Sequence, residues 1–199
     1  MKNIITISRE FGSGGRTIGK LVADRLGYRF CDGDIIDEVV KSSGLAREIV
    51  QKYDEYATHK NSFLYSIAVN AGWDGHNGLS FANRVQIAQV NVIKKIAEEG
   101  NCVIIGRGAD YILRDRADCL HVFIHAGMEF RAKHVIENYG ETEVKIEDRL
   151  RDKDTRRKVF NRSFTMREWG AYENYNLMID SGIVGIEKAA DIICQVAEA

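Results

Sequence analysis

The sequence predicts an α/β fold: a three-layer sandwich with a parallel sheet between helices, and two insertions over the carboxyl edge of that sheet. Three observations lead there. Short apolar, β-branched runs alternate with longer segments of helical periodicity. The run at 102–105 is apolar throughout, as suits a strand buried on both faces. The first strand and the first helix are joined by a cluster of glycines.

Taken in order, residues 3–8 form the first strand, and Ile18, Leu21, Val22 and Leu26 mark one face of the first helix, which is expected to begin near Thr17. Gly27 is placed to stop that helix, and Tyr28 to Asp32 reads as a second short strand ending in acid. Residues 35–80 look helical and polar, with a glycine-rich loop from Gly72 to Gly78. A helix carrying Val85, Val92 and Ile96 runs to Gly100, and Cys102 to Ile105 follows as the third strand. Leu120 to Ile124 is the fourth. Residues 136–175 are dense in charge, arginine above all, and Leu177, Met178 and Ile179 form a fifth strand before a closing helix near Ile186 to Val196. A single domain is expected, with a core of about 1–34, 100–135 and 176–199 and insertions at about 35–99 and 136–175.

Composition narrows the function classes. The 199 residues are 45% hydrophobic, enough for one compact core, and the formal net charge of −1 builds in no long-range attraction to nucleic acid or an acidic membrane. The opening apolar run is too short for a signal peptide, and no later stretch would cross a bilayer, so a cytoplasmic location is expected. Cys31, Cys102, Cys119 and Cys194 lack C-x-x-C spacing and read as buried thiols. His121 and His125 share one strand face without carboxylate or cysteine partners in the pattern, which favours structure over metal binding.

The glycine cluster carries the chemistry. A phosphate-binding loop reads G-x-x-x-x-G-K-S/T: backbone N–H groups and a helix N-terminus surround phosphate oxygens, lysine adds charge, and the hydroxyl binds magnesium. The segment from Ser8 to Leu21 offers two registers. In one, Gly15-Arg16-Thr17 stands at the G-K-S/T positions, with Arg16 replacing lysine and Glu10 replacing the opening glycine. In the other, Gly14 to Lys20 matches literally but ends in Leu21, which cannot ligate magnesium. The first is preferred, because it starts the helix near Thr17, turns its apolar face to the sheet and sends Lys20 outward. Gly12, Ser13, Gly14, Gly15, Arg16 and Thr17 are then the donor-phosphate residues. Glu10 beside a triphosphate needs a cationic partner, and Arg9 or Arg16 is the nearest in sequence.

Ile7 to Arg16, Ile104-Ile105-Gly106-Arg107-Gly108-Ala109-Asp110 and the late arginine-rich stretch together resemble the cytidylate kinase-like family over nearly the whole chain. The sequence looks like a divergent relative of the bacterial cytidylate kinases, whose loop has lysine where this one has Arg16. The resemblance implies a P-loop nucleoside monophosphate kinase with an acceptor-binding region at about 35–99 and an arginine-rich lid at about 136–175. It also implies ATP and magnesium (Mg2+) as cofactors, and small-molecule nucleotides rather than nucleic acid or membrane as partners, for a monomer or small homo-oligomer. CMP or dCMP is the default acceptor. Arg107 and Asp110 fall where such kinases bind the acceptor, and Arg131 resembles the arginine that opens the lid region.

The residues themselves leave some choices open. Asp32 and Asp34, one residue apart after the second strand, suit a hydrated magnesium ion or an acceptor hydroxyl, and equally a turn or helix start. Arg149, Arg151, Arg156 and Arg157 would neutralise charge on a transferred phosphoryl group, or would lace a solvated helix, since acids nearly balance them. Asp180 reads more readily as a turn cap than as a base contact, and Trp73 and Trp169 as packing rather than stacking residues. Two further functions stay open: a kinase of a non-nucleotide acceptor in the manner of shikimate kinase, and a nucleotide-binding regulator without turnover, which the departures at Glu10 and Arg16 would suit.

Overall fold

The structure is a computed structural model that describes residues 1–53 and 81–199. Its sheet contains β1 (Ile4–Arg9), β2 (Arg29–Cys31), β3 (Cys102–Ile105), β4 (Cys119–His125) and β5 (Leu177–Asp180), all parallel, in the order β2-β3-β1-β4-β5. The helices are α1 (Gly15–Leu26), α2 (Asp34–Ser43), α3 (Arg47–Tyr53), α4 (Phe81–Glu99), α5 (Ala109–Ile112), α6 (Met128–Tyr139), α7 (Ile146–Thr165), α8 (Ser181–Val184) and α9 (Ile186–Glu198). The α/β sandwich expected from the sequence is the fold observed.

Period-2 alternation divides the strand residues between two cores. Ile4, Cys31, Cys102 and Ile104 face α2, α3 and α4, while Ile5, Ile7, Val103 and Ile105 face α1 and α9. β3 is covered on both sides, and its four residues read as an unbroken apolar run. Each fully buried isoleucine in these layers contributes roughly 2–3 kcal/mol by transfer from water.

The first helix begins at Gly15, two residues before the expected Thr17, and ends at Gly27, which takes a left-handed φ of 67°. Gly19 lies inside it, where a β-carbon would come 2.6 Å from the Ile105 Cδ1 methyl, so glycine lets α1 sit close on the sheet. All four cysteines are buried. Burial pushes the thiols of Cys31, Cys102 and Cys119 up to about 12, 11 and 12, which keeps them protonated and inert. The Gly72–Gly78 loop and Trp73 lie outside the described residues.

On the other face of β4, His121 is buried and its Nδ1 lies 2.8 Å from Thr6 Oγ1, the structural role expected of it. Trp169 meets Phe123 edge to face at 5.2 Å, a packing role. Asp180 caps α8 by accepting from the N–H groups of Gly182 and Ile183.

Candidate active site

The glycine loop lies where β1 leaves the carboxyl edge of the sheet, with strands on both sides. Gly12 and Gly14 have φ of 84° and 76°, a region that costs L side chains dearly. A β-carbon on Gly12 would also stand 2.8 Å from the Arg131 carbonyl oxygen, and one on Gly15 would stand 2.6 Å from Arg9 Cβ. The loop therefore turns tightly and delivers Gly15, Arg16 and Thr17 as the first turn of α1, whose N–H groups have no acceptor within the helix. That is the start demanded by the Gly15-Arg16-Thr17 register. Lys20 is exposed and pairs with Asp24 one turn on, away from the loop. Ser13 does not offer its hydroxyl to the cavity: Oγ donates to the Glu10 carbonyl at 2.9 Å, and the Ser13 carbonyl accepts from Ser181 Oγ at 2.6 Å. It braces the turn from within.

Above the loop is a cavity of ≈ 330 Å³. Gly12, Gly14, Gly15 and Thr17 form part of its wall, with Arg16, Asp32 and Arg107 toward β2 and β3 and with Phe11, Tyr139 and Arg157 toward α6 and α7. Its described lining holds four arginines (Arg9, Arg16, Arg107, Arg157) against two carboxylates (Glu10, Asp32), an excess that suits a polyanion.

Asp32 links the two sides of this positive wall. Its Oδ2 accepts from Arg16 Nε at 2.6 Å, and its Oδ1 lies 3.5 Å from Arg107 Nη1. Arg107 sits at the end of β3 with a left-handed φ of 55° and is almost wholly buried, so the carboxylate partner offsets the cost of desolvating it. Asp34 and Asp110 do not line the cavity. Asp34 opens α2 and accepts the Asp32 N–H at 2.9 Å, while buried Asp110 accepts from Ser8 Oγ at 3.3 Å. Both steady the framework on which Asp32 and Arg107 stand.

The late arginines separate in the same way. Of the four named from the sequence, Arg157 alone is among the described cavity residues; its Nη1 donates to the Arg9 carbonyl at 3.0 Å. Arg149 donates to the Gly140 carbonyl and lies 5.9 Å from the Phe11 ring, near the rim. Arg151 faces Asp148 in solvent at 3.7 Å, and Arg156 pairs with Asp152 one turn earlier on α7. The ion-pair reading describes these two. Arg131, which resembles the arginine that opens the lid region, is buried: Nη1 meets Asp154 Oδ2 at 2.5 Å and Nε is 3.5 Å from Glu10 Oε2. Glu10 thus has a cationic partner that sequence proximity did not suggest.

Residues missed in the sequence also surround the site. Asp154 accepts the Phe11 N–H at 2.7 Å, and its spacing from Leu150 and Arg157 on one helical face was the available signal. His134 lines the cavity, and burial holds its imidazole below the usual value, so it is neutral at pH 7. As a magnesium ligand Thr17 fits, because its hydroxyl belongs to a cavity-wall residue at the helix start. Among the described residues no group of three or more His, Cys, Asp or Glu gathers as a cation site, and a magnesium ion held chiefly by phosphate oxygens and water requires none. Both Asp32 oxygens face guanidinium groups, so this residue is first an anchor for arginine.

The cytidylate kinase-like family model matches residues 4–183, a span that includes every strand of the sheet, the glycine loop, α6 and α7. The chain belongs to the cytidylate kinase-like family. A cytidylate kinase of Archaeoglobus fulgidus is 29% identical over 199 residues, covering 98% of this chain and 94% of that one. The crystal structure of an uncharacterized protein from Eubacterium ventriosum superposes with a TM-score of 0.74 at 26% identity, covering 100% of this chain and 99% of the other. Shikimate kinase from Acinetobacter baumannii, solved in complex with shikimate, has a TM-score of 0.52 at 17% identity over 98% of this chain and 93% of that chain, a likeness of fold. Among the described residues no helix is long and apolar enough to cross a membrane.

Proposed function

We propose that this member of the cytidylate kinase-like family transfers the terminal phosphoryl group of ATP to a nucleoside monophosphate, with CMP or dCMP the first acceptors to test. The observation that carries the reading is the convergence of a helix N-terminus and a chain of Arg16, Asp32 and Arg107 on one cavity. Helix N-termini and guanidinium groups both stabilise phosphate oxygens, and phosphoryl transfer needs chiefly positioning and charge stabilisation.

In this reading the N–H groups of Gly12, Gly14, Gly15, Arg16 and Thr17 hold the donor phosphates. The Thr17 hydroxyl would hold magnesium, which when bound neutralises charge on the donor. Arg16, held by Asp32, offers its guanidinium to the donor phosphates in the position that lysine holds in the bacterial relatives. Arg107 receives the acceptor phosphate, while Asp32 keeps both guanidinium groups aimed into the cavity. Arg157 faces the same space from α7 and stabilises the group in flight. The acceptor attacks in line, and the protein forms no covalent intermediate.

The test is ADP production from ATP and magnesium with CMP, dCMP, UMP, AMP, GMP and shikimate, against a control without acceptor. Turnover that depends on a nucleoside monophosphate supports the proposal and names the substrate. Turnover with shikimate alone overturns the acceptor class. ATP binding by calorimetry without turnover on any acceptor would leave a nucleotide-binding regulator instead.

A further inference from the structure

We propose that Asp154 is a positioning residue for this reaction: its carboxylate fixes the entry of the glycine loop and sets Arg157 beside it, so that the loop and α7 form a single phosphate-binding unit. The inference rests on the phosphoryl-transfer reading above.

Three consecutive residues where β1 passes into the loop are held by α6, α7 and the turn before α6. The Arg9 carbonyl accepts from Arg157 Nη1 at 3.0 Å. The Phe11 N–H donates to Asp154 Oδ1 at 2.7 Å, and the Phe11 carbonyl accepts from Arg131 Nη1 at 3.3 Å. Between them, Glu10 Oε2 accepts the Ala126 N–H at 3.2 Å and faces Arg131. Asp154 is the post common to these contacts, since Arg131 donates to its second oxygen and Arg157 lies 3.9 Å from its first.

Arg131 and Asp154 are both more than nine-tenths buried. Removing one partner of a buried ion pair leaves an uncompensated buried charge, so neither residue is dispensable to the other. The commitment of the Phe11 N–H to Asp154 removes that amide from the set facing phosphate. Phosphate recognition then falls to Gly12 and the residues from Gly14 to Thr17, with Arg157 supplying charge from the opposite wall. Glu10 fits the same scheme: where a phosphate-binding loop opens with glycine, here a side chain ties the loop to α6 through Arg131.

The proposal is tested with Asp154→Ala and Asp154→Asn, with Asp148→Asn at an exposed position of α7 as the control. Three quantities are read: amide hydrogen exchange at Phe11, calorimetric affinity for a magnesium-bound non-hydrolysable ATP analogue, and the thermal midpoint. Asp154→Ala is expected to speed exchange at Phe11 by about tenfold or more and to weaken the analogue by about tenfold, with β3 exchange unchanged. Asp154→Asn keeps an oxygen for Phe11 but turns an amide donor toward Arg131, so it protects Phe11 better than alanine while still weakening the analogue about fivefold. In turnover assays KM for ATP rises and kcat falls together, which a loss of folded protein alone would not produce. Exchange and affinity within about twofold of the parent for both variants would overturn the proposal. So would a lower thermal midpoint with unchanged affinity, which marks a purely structural ion pair. If Asp154→Ala does not fold, the affinity of Asp154→Asn decides by the same limits. Because exchange and analogue binding need no acceptor, a failure to find turnover would count against the kinase reading without touching this one.

Discussion

At the scale of single residues, the sharpest contrast is between Arg16 and Lys20. Arg16 stands in the first turn of α1 and on the cavity wall, while Lys20 pairs with Asp24 in solvent. Arg16→Ala is expected to lower kcat/KM by roughly 10²- to 10³-fold, the usual cost of removing one preorganised charge-stabilising donor, and Lys20→Ala to change it less than about threefold. Steady-state kinetics on the two variants checks this, and a larger effect at Lys20 would overturn the register. Gly12→Ala tests the loop itself. The left-handed φ and the 2.8 Å approach to a backbone oxygen leave no room for a methyl group, so nucleotide binding should fall at least about tenfold by calorimetry. The glycines and Arg16 were legible because local chemistry dictates them. The partner of Glu10 was not, because Arg131 is far away in the chain and only the packing of α6 brings it near.

At the scale of elements, α7 shows why a charge count misleads. Its buried residues are Leu150, Asp154, Arg157, Asn161 and Thr165, spaced three or four apart, so one face of a highly charged helix is turned inward and is mostly polar. Counting arginines named four candidates and left a solvated, ion-paired helix open for each. Helical phase separates them: Arg157 falls on the inward stripe, while Arg151 falls on the solvent side. Such a stripe is specified by hydrogen bonds more than by apolar area, which leaves Leu150 as its one large aliphatic anchor. Leu150→Ala should cost about 2–4 kcal/mol in denaturant unfolding, against less than about 0.5 kcal/mol for Val144→Ala in the exposed loop before the helix.

At the scale of the whole molecule, the sandwich was readable because unbroken apolar runs and helical periodicity alternate, and burial on both faces is what such runs require. Strand order was not, since nothing local says that β1 lies between β3 and β4. His121 links this core to pH. Burial, reinforced by the positive charge of Arg167, lowers its imidazole to about 4 from an ordinary value near 6.5. The unfolded chain therefore takes up a proton before the native protein does, and the neutral histidine's contribution, present above pH 6.5, is lost as pH falls toward 4. The loss is at most about 3 kcal/mol. His121→Gln should flatten the decline of stability between pH 6.5 and 4 relative to the parent, as measured by urea unfolding at several pH values.

The position of β1 has a further consequence, in the order of synthesis. This strand precedes both of its partners in the chain and becomes the middle of the sheet, paired with strands that begin at Cys102 and Cys119. At about 5–20 residues per second, a ribosome needs roughly 5–20 s to bring the first of those partners into being. For that interval an isoleucine-rich segment with both backbone edges unmet is held in the nascent chain, and the phosphate-binding loop cannot yet have its shape. The most interior strand is thus the one that waits longest for its partners, and the yield of folded protein in a cell should depend on what shields it until they are made.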